Sequence, residues 1–179
     1  MESLEFTPSP ARVAALQARC ERLAAIVEAF AGFGSRTSRP DALMDEVVQR
    51  VQALTRATGA VFEVADQDDL VYAVASGTVK PYTGLRLAQA TSLSGRCLIE
   101  KAPLRAIDTT QDPRVDPTAC RAVQARSMLV VPVLQGRLAV GVLKATSTTA
   151  NAFDDLDEDV LRAAAGLLSG LLARAPAAG

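Results

Sequence analysis

The sequence predicts an α+β domain, a central and mainly antiparallel sheet flanked by helices, and three observations predict it. Apolar residues recur at spacings of three and four near both ends of the chain. Between Ala60 and Ala145 the period shortens to two, in runs separated by Gly, Asp and Pro. The strands so defined are grouped together instead of alternating one by one with helices, which favours an α+β layer arrangement over a parallel sheet.

The elements follow in order. Residues 1–10, with Pro8 and Pro10, read as a disordered tail, and 175–179 as another. Over Ala11–Ala31 a heptad seam of Val13, Leu16, Cys20, Leu23, Val27 and Phe30 marks a helix, widened by Ala24 and Ile26. A wide stripe with few flanking charges suits packing between helices of two copies, or packing on the chain's own domain. The segment 32–35, Gly-Phe-Gly-Ser, ends that helix. Pro40 suits the first turn of another, with Leu43, Val47, Val51 and Leu54 on its apolar face as far as Thr58.

Ala60–Ala65 and Leu70–Ala75 then read as a hairpin about a polar turn, and 83–89 as a third strand carrying Leu85 and Leu87. Ser94–Lys101 is a short helix and Leu104–Asp108 a short strand. The segment 109–126 is rich in Asp and Pro, with one turn of helix over Pro117–Val123 capped by Asp116. Met128–Leu134 and Leu138–Ala145 form a hairpin at the centre of the sheet. Asp154, with Asp157 three residues on, opens the last helix, whose inner face carries Leu156, Val160, Ala164, Leu167, Leu168 and Leu171. With helices on one face, the other is left to the segment 91–126, and a sheet under a separate cover is a natural small-molecule pocket.

Composition narrows the function. The net charge is −1 with both signs scattered, and aromatics make up 4% of the residues with no Trp. Neither phosphate neutralisation nor base stacking has the residues it needs, so no nucleic-acid partner is expected. No apolar run approaches a membrane span, and the first residues lack the pattern of a secretory signal, so no membrane partner is expected and the location is read as cytoplasmic. Three cysteines, Cys20, Cys97 and Cys120, are an odd set and read as reduced thiols. The chain has no histidine, which removes Ser–His and Cys–His nucleophile pairs, His-ligated zinc and a proximal-His haem.

Six stretches taken together resemble the GAF family of ligand-binding signalling domains: Ser94-Gly95-Arg96; Pro103 to Asp108; Asp112-Pro113-Arg114; Arg126 to Val133; Gly141-Val142-Leu143; and Phe153 to Glu158. The resemblance implies a GAF-like (profilin-like) sheet of six antiparallel strands, with terminal helices packed on one face and a lid over a pocket on the other. It implies a domain organisation of an N-terminal signalling and dimerisation helix at 11–34 and a GAF domain at 35–174. It also implies a bacterial sensor that dimerises through its first and last helices, Leu167 and Leu171 joining the N-terminal seam, and that acts on an output domain or partner protein. No metal, haem or tetrapyrrole is expected. Cyclic-nucleotide-binding members carry an Asn-Lys pair ahead of a Phe-to-Glu stretch. Phe153 to Glu158 matches the second half, Ser147-Thr148 does not match the first, and a cyclic nucleotide stays open as an alternative.

Another version of the family, the free methionine-sulfoxide reductase, has a catalytic cysteine in a region that Ala119-Cys120 resembles. The acidic residues it carries after Gly-Val-Leu are here Lys144-Ala145-Thr146. For a sensory pocket the candidate ligand-binding residues are Tyr72 and Tyr82, the guanidinium groups of Arg105, Arg114 and Arg121, and Asp112, Asp116, Cys120 and Ser127. Structural roles compete for several of them: Asp112 and Asp116 precede prolines as turn and cap residues do, and Ser127 opens a strand. The acidic run from Asp154 to Asp159 reads as a helix start complementing its dipole.

Overall fold

A computed structural model describes residues 9–31 and 39–173, without the side chains of Ala29 and Phe30. The expected tails lie outside these residues except at Ser9 and Pro10, as does Phe30 of the heptad seam beyond its backbone. The chain divides into two units, 1–33 and 34–179. In the first, helix α1 (Pro10–Ala31) begins one residue ahead of the expected start, with Pro10 opening it. Its seam residues Val13, Leu16, Leu23 and Val27 are exposed, Val27 by 69%.

The second unit opens with α2 (Pro40–Thr55), whose face of Leu43, Val47, Val48 and Val51 is buried. The sequence carries this helix on to Thr58. It stops sooner because Arg56 adopts a left-handed conformation, and the Thr58 amide then donates to the Thr146 carbonyl, already in sheet register.

Strands β1 (Gly59–Asp66), β2 (Asp69–Gly77), β3 (Arg86–Ala88), β4 (Leu104–Ala106), β5 (Ser127–Gln135) and β6 (Leu138–Ser147) make one sheet in the order β3-β2-β1-β6-β5-β4. Every neighbouring pair is antiparallel. The four long strands β2, β1, β6 and β5 lie inside, and the two three-residue strands form the edges. Short edges expose little unpaired backbone. The third strand is three residues instead of seven, because residues 80–82 form a 3-10 turn and Gly84 takes a positive φ of 89° before the pairing begins. The β5–β6 turn is two residues, with Gly136 at φ +60° as its first member, where a hairpin turn of the II′ kind requires glycine.

One irregularity shapes everything that follows. Between Phe62 and Glu63 the register slips: Phe62 faces Val74, but Glu63 faces Tyr72, so Ala73 bulges out of β2. Strict alternation would place Ala73 on the same face as Ala75. The bulge puts Leu70 and Tyr72 there.

Helices α2 and α5 (Asp155–Leu172) pack on each other and on one face of the sheet. Asp154 caps α5 and Asp157 bonds back to the cap amide, the reciprocal arrangement expected from the sequence. Val160, Ala164 and Leu168 are buried as expected, joined by Leu161 and Ala165, while Leu156, Leu167 and Leu171 are only half-buried. On the other face lie α3 (Leu93–Glu100), capped by Ser92, and α4 (Pro117–Ala122), capped by Asp116. There Val61, Leu70, Tyr72, Leu93, Cys97, Val115, Cys120, Val130 and Val142 share one apolar core. Among the described residues no helix is long and apolar enough to cross a membrane.

Candidate functional site

The cover closes a cavity against the sheet. Its floor is Tyr72 of β2, Met128 of β5, and Lys144 and Thr146 of β6. Leu85 and Leu87 close one side, Thr91 to Ser94 another, and Val115, Asp116, Ala119, Cys120 and Val123 form the roof. The free space is about 50 Å³. That holds a few water-sized molecules, against roughly 300–1,000 Å³ for pockets that take drug-sized ligands.

The floor is not purely apolar. Lys144 and Glu63 are buried in the central strands β6 and β1, and their side chains form an ion pair, Nζ to Oε1 at 2.5 Å. Val61 is directly opposite Lys144, and Glu63 is its diagonal neighbour on the same face. The bulge at Ala73 brings Tyr72 alongside, and Lys144 Nζ donates to its hydroxyl at 2.9 Å. Burial opposes the ammonium, but the Glu63 carboxylate and Tyr72 outweigh it and hold the Lys144 pKa above its ordinary value. Tyr72 is raised too, by burial first and by Glu63, with Lys144 opposing. Glu63 Oε2 is buried with no hydrogen-bond partner.

Of the residues expected to bind a ligand, the fold gathers Tyr72, Asp116 and Cys120 on the cavity wall. Asp116 also caps α4, its Oδ1 accepting from the Thr118 and Ala119 amides. Tyr82 works from outside: its hydroxyl donates to the Ala122 carbonyl at 2.6 Å and ties the 3-10 turn to the roof.

The remaining candidates do not line the cavity. Arg105 reaches the start of α5, donating to the Asp154 carbonyl and to Asp155, with Glu158 3.6 Å away. Arg114 is held by Asp112 and donates to the Arg105 carbonyl. Arg121 is exposed and donates to the Thr118 hydroxyl. Ser127 is buried and donates to the Thr149 carbonyl, a backbone role. Hydrogen-bonding groups within the protein have already engaged these side chains.

No motif in the sequence singles out Glu63, and Lys144 stands out only where the reductases carry an acid. A signal was present: one acid and one base, each isolated in an apolar run of a strand buried on both faces. Charges in such places are almost always paired. The thiols give a second result. Cys97 is fully buried, and burial, helped by Glu63 and Glu100, pushes its pKa up to about 12. Cys120 is raised as well, by burial, with Lys144 pulling the other way. Neither environment generates a thiolate near neutral pH. Among the described residues no group of His, Cys, Asp and Glu could hold a metal ion.

A six-stranded antiparallel sheet with helices on one face and a lid on the other is the architecture the six sequence stretches implied. The GAF domain family profile matches residues 37–173, most of the chain, and the chain belongs to that family. Solved structures share its fold. The GAF domain of a phosphoenolpyruvate-protein phosphotransferase from Coxiella burnetii is 16% identical, with a TM-score of 0.76 over 87% of this chain and 94% of that one. The free methionine-R-sulfoxide reductase of Neisseria meningitidis is 19% identical, with a TM-score of 0.67 over 97% of this chain and 96% of that one. A type II free methionine-R-sulfoxide reductase from Thermoplasma acidophilum is 18% identical, with a TM-score of 0.64 over 74% and 92%. At these identities the likeness is one of fold. No curated protein matches the sequence.

Proposed function

We propose that this chain is a sensory GAF domain of bacterial signal transduction. It binds a small molecule beneath the 91–126 segment and passes occupancy to its terminal helices in a homodimer, for an output domain or partner protein to read. The observation that carries this reading is a buried hydrogen-bonding cluster built into the floor of a mainly apolar cavity. Burying Lys144 and Glu63 costs solvation that a hydrophobic pair would not incur, and desolvated, charge-coupled groups at a cavity are functional-site candidates. With about 50 Å³ free, a metabolite-sized ligand has to lift the roof. The roof is tethered by Tyr82 to Ala122 and by Arg114 to Arg105, and Arg105 grips α5. Displacing the roof therefore acts on the start of the terminal helix.

Thermal-shift screening of amino acids, carboxylates, amides and nucleotides, cyclic nucleotides included, tests the proposal. One class is expected to raise the melting temperature, by a mass-action stabilisation of about 2.7 kcal/mol at a hundred times Kd. A flat response across all classes overturns it and favours a ligand-free dimerising interaction module, the reading that the small cavity supports. The reductase reading rests on Cys120 at the cavity wall and on the fold shared with the two reductases. Its raised thiol pKa counts against it. Turnover of free methionine sulfoxide with a thiol reductant, abolished by Cys120→Ser, would establish that reading instead.

A further inference from the structure

The cavity's charge balance points to the chemical class of its ligand. Among the described residues two charged side chains line it, Lys144 on the floor and Asp116 on the roof. Behind Lys144, Glu63 is fully buried and already neutralises the ammonium. The immediate surroundings thus hold one cation and two carboxylates. A ligand carboxylate would be a third anion, removed from water beside a cation that is already paired. Desolvation of an ion without its own counter-charge is strongly unfavourable in such an apolar setting. What the floor does offer is donors. Lys144 spends one ammonium hydrogen on Glu63 and one on Tyr72. Among the described residues, its third hydrogen and the phenolic hydrogen of Tyr72 have no acceptor. Burial keeps that phenol protonated.

Resting on the sensor reading above, we propose that the cavity selects a ligand without net negative charge that presents an acceptor oxygen, of the carbonyl or amide kind, to Lys144 and Tyr72. The buried Glu63 is then a selectivity element: it keeps the one cation of the floor from attracting anions.

Formamide and formate test this, being nearly equal in size and small enough for the closed cavity. Each is titrated into the full chain, and the backbone amide resonances of Cys120, Met128 and Lys144 are followed by NMR. Formamide is expected to shift them saturably with a Kd at least about tenfold below that of formate. Glu63→Gln, which frees the ammonium, should reverse the order. Tighter formate binding to the native chain overturns the proposal, as does the absence of any response to either probe. An unreversed order in a folded Glu63→Gln chain overturns it as well. Should that variant not fold, the uncharged pair Glu63→Gln with Lys144→Met takes its place, and formamide binding should fall at least about tenfold through loss of the ammonium donor; unchanged binding overturns the proposal. If formate wins while a screened metabolite raises the melting temperature, the ligand class fails and the sensor reading survives. If no metabolite does so, that reading fails too.

Discussion

Lys144 shows how much one buried side chain can decide. Lys144→Met removes the cation and leaves Glu63 buried with neither oxygen paired, and breaking a buried pair from one side typically costs about 3–5 kcal/mol. Equilibrium denaturation should show a loss of that size. Adding Glu63→Gln should recover much of it, because no uncompensated charge is left. A double variant as unstable as the single one would contradict this account of the pair. The same cluster sets a pH dependence. Cys97 is held at about 12 against an ordinary 9.0, Tyr72 above 10.0 and Lys144 above 10.5. In each case the folded value lies above the unfolded one, so the contribution is complete below the unfolded pKa and is lost as pH rises through the folded one. Unfolding free energy should therefore fall from about pH 9 upward, and fall less in the double variant, which removes Lys144 and the Glu63 charge.

At the scale of elements, the cover is joined to the last helix by side chains, and the joint is testable without a ligand. Arg114 donates to the carbonyl of Arg105, whose guanidinium holds the Asp154 carbonyl and Asp155. Arg105→Ala should raise hydrogen exchange both in residues 109–124 and in the first turn of α5. Arg114→Ala, which does not touch α5, should raise it there as well if the two elements open together. Faster exchange confined to the loop would show that the contacts hold the cover without coupling it. Several of these elements were legible from the sequence because their signals are local. Asp116 before Pro117 and the Asp154–Asp157 box are capping patterns complete within four residues, and both form as read. The short third strand and the early end of α2 were not legible. A 3-10 turn after Val79 and a left-handed Arg56 were decided by sheet register, which no local pattern encodes.

For the whole molecule, the exposed seam of α1 is where a second copy is expected to pack. Val13, Leu16, Leu23 and Val27 are all exposed along that helix, spaced as a heptad, and Leu167 and Leu171 are half-buried on α5. Replacing Leu23 and Val27 with Asp should convert a dimer to a monomer in light scattering, at little cost to the melting temperature of the 34–179 unit. A dimer that survives the change would place the interface elsewhere.

The sequence alone determined the class of fold, the order of its elements, the caps of α4 and α5, and the absence of histidine chemistry, since periodicity, capping and composition are properties of neighbours in the chain. It did not determine the site. Tyr72 faces the cavity because a single residue bulges at Ala73, and Lys144 meets Glu63 and Tyr72 only because β6, about eighty residues on, lies beside the β1–β2 hairpin. Arg105, Arg114 and Arg121 were sensible ligand grips by residue type, and folding engaged them with carbonyls, carboxylates and a hydroxyl of the protein itself. Which polar groups stay uncommitted is settled by three-dimensional competition for hydrogen bonds, and only the folded chain holds that competition.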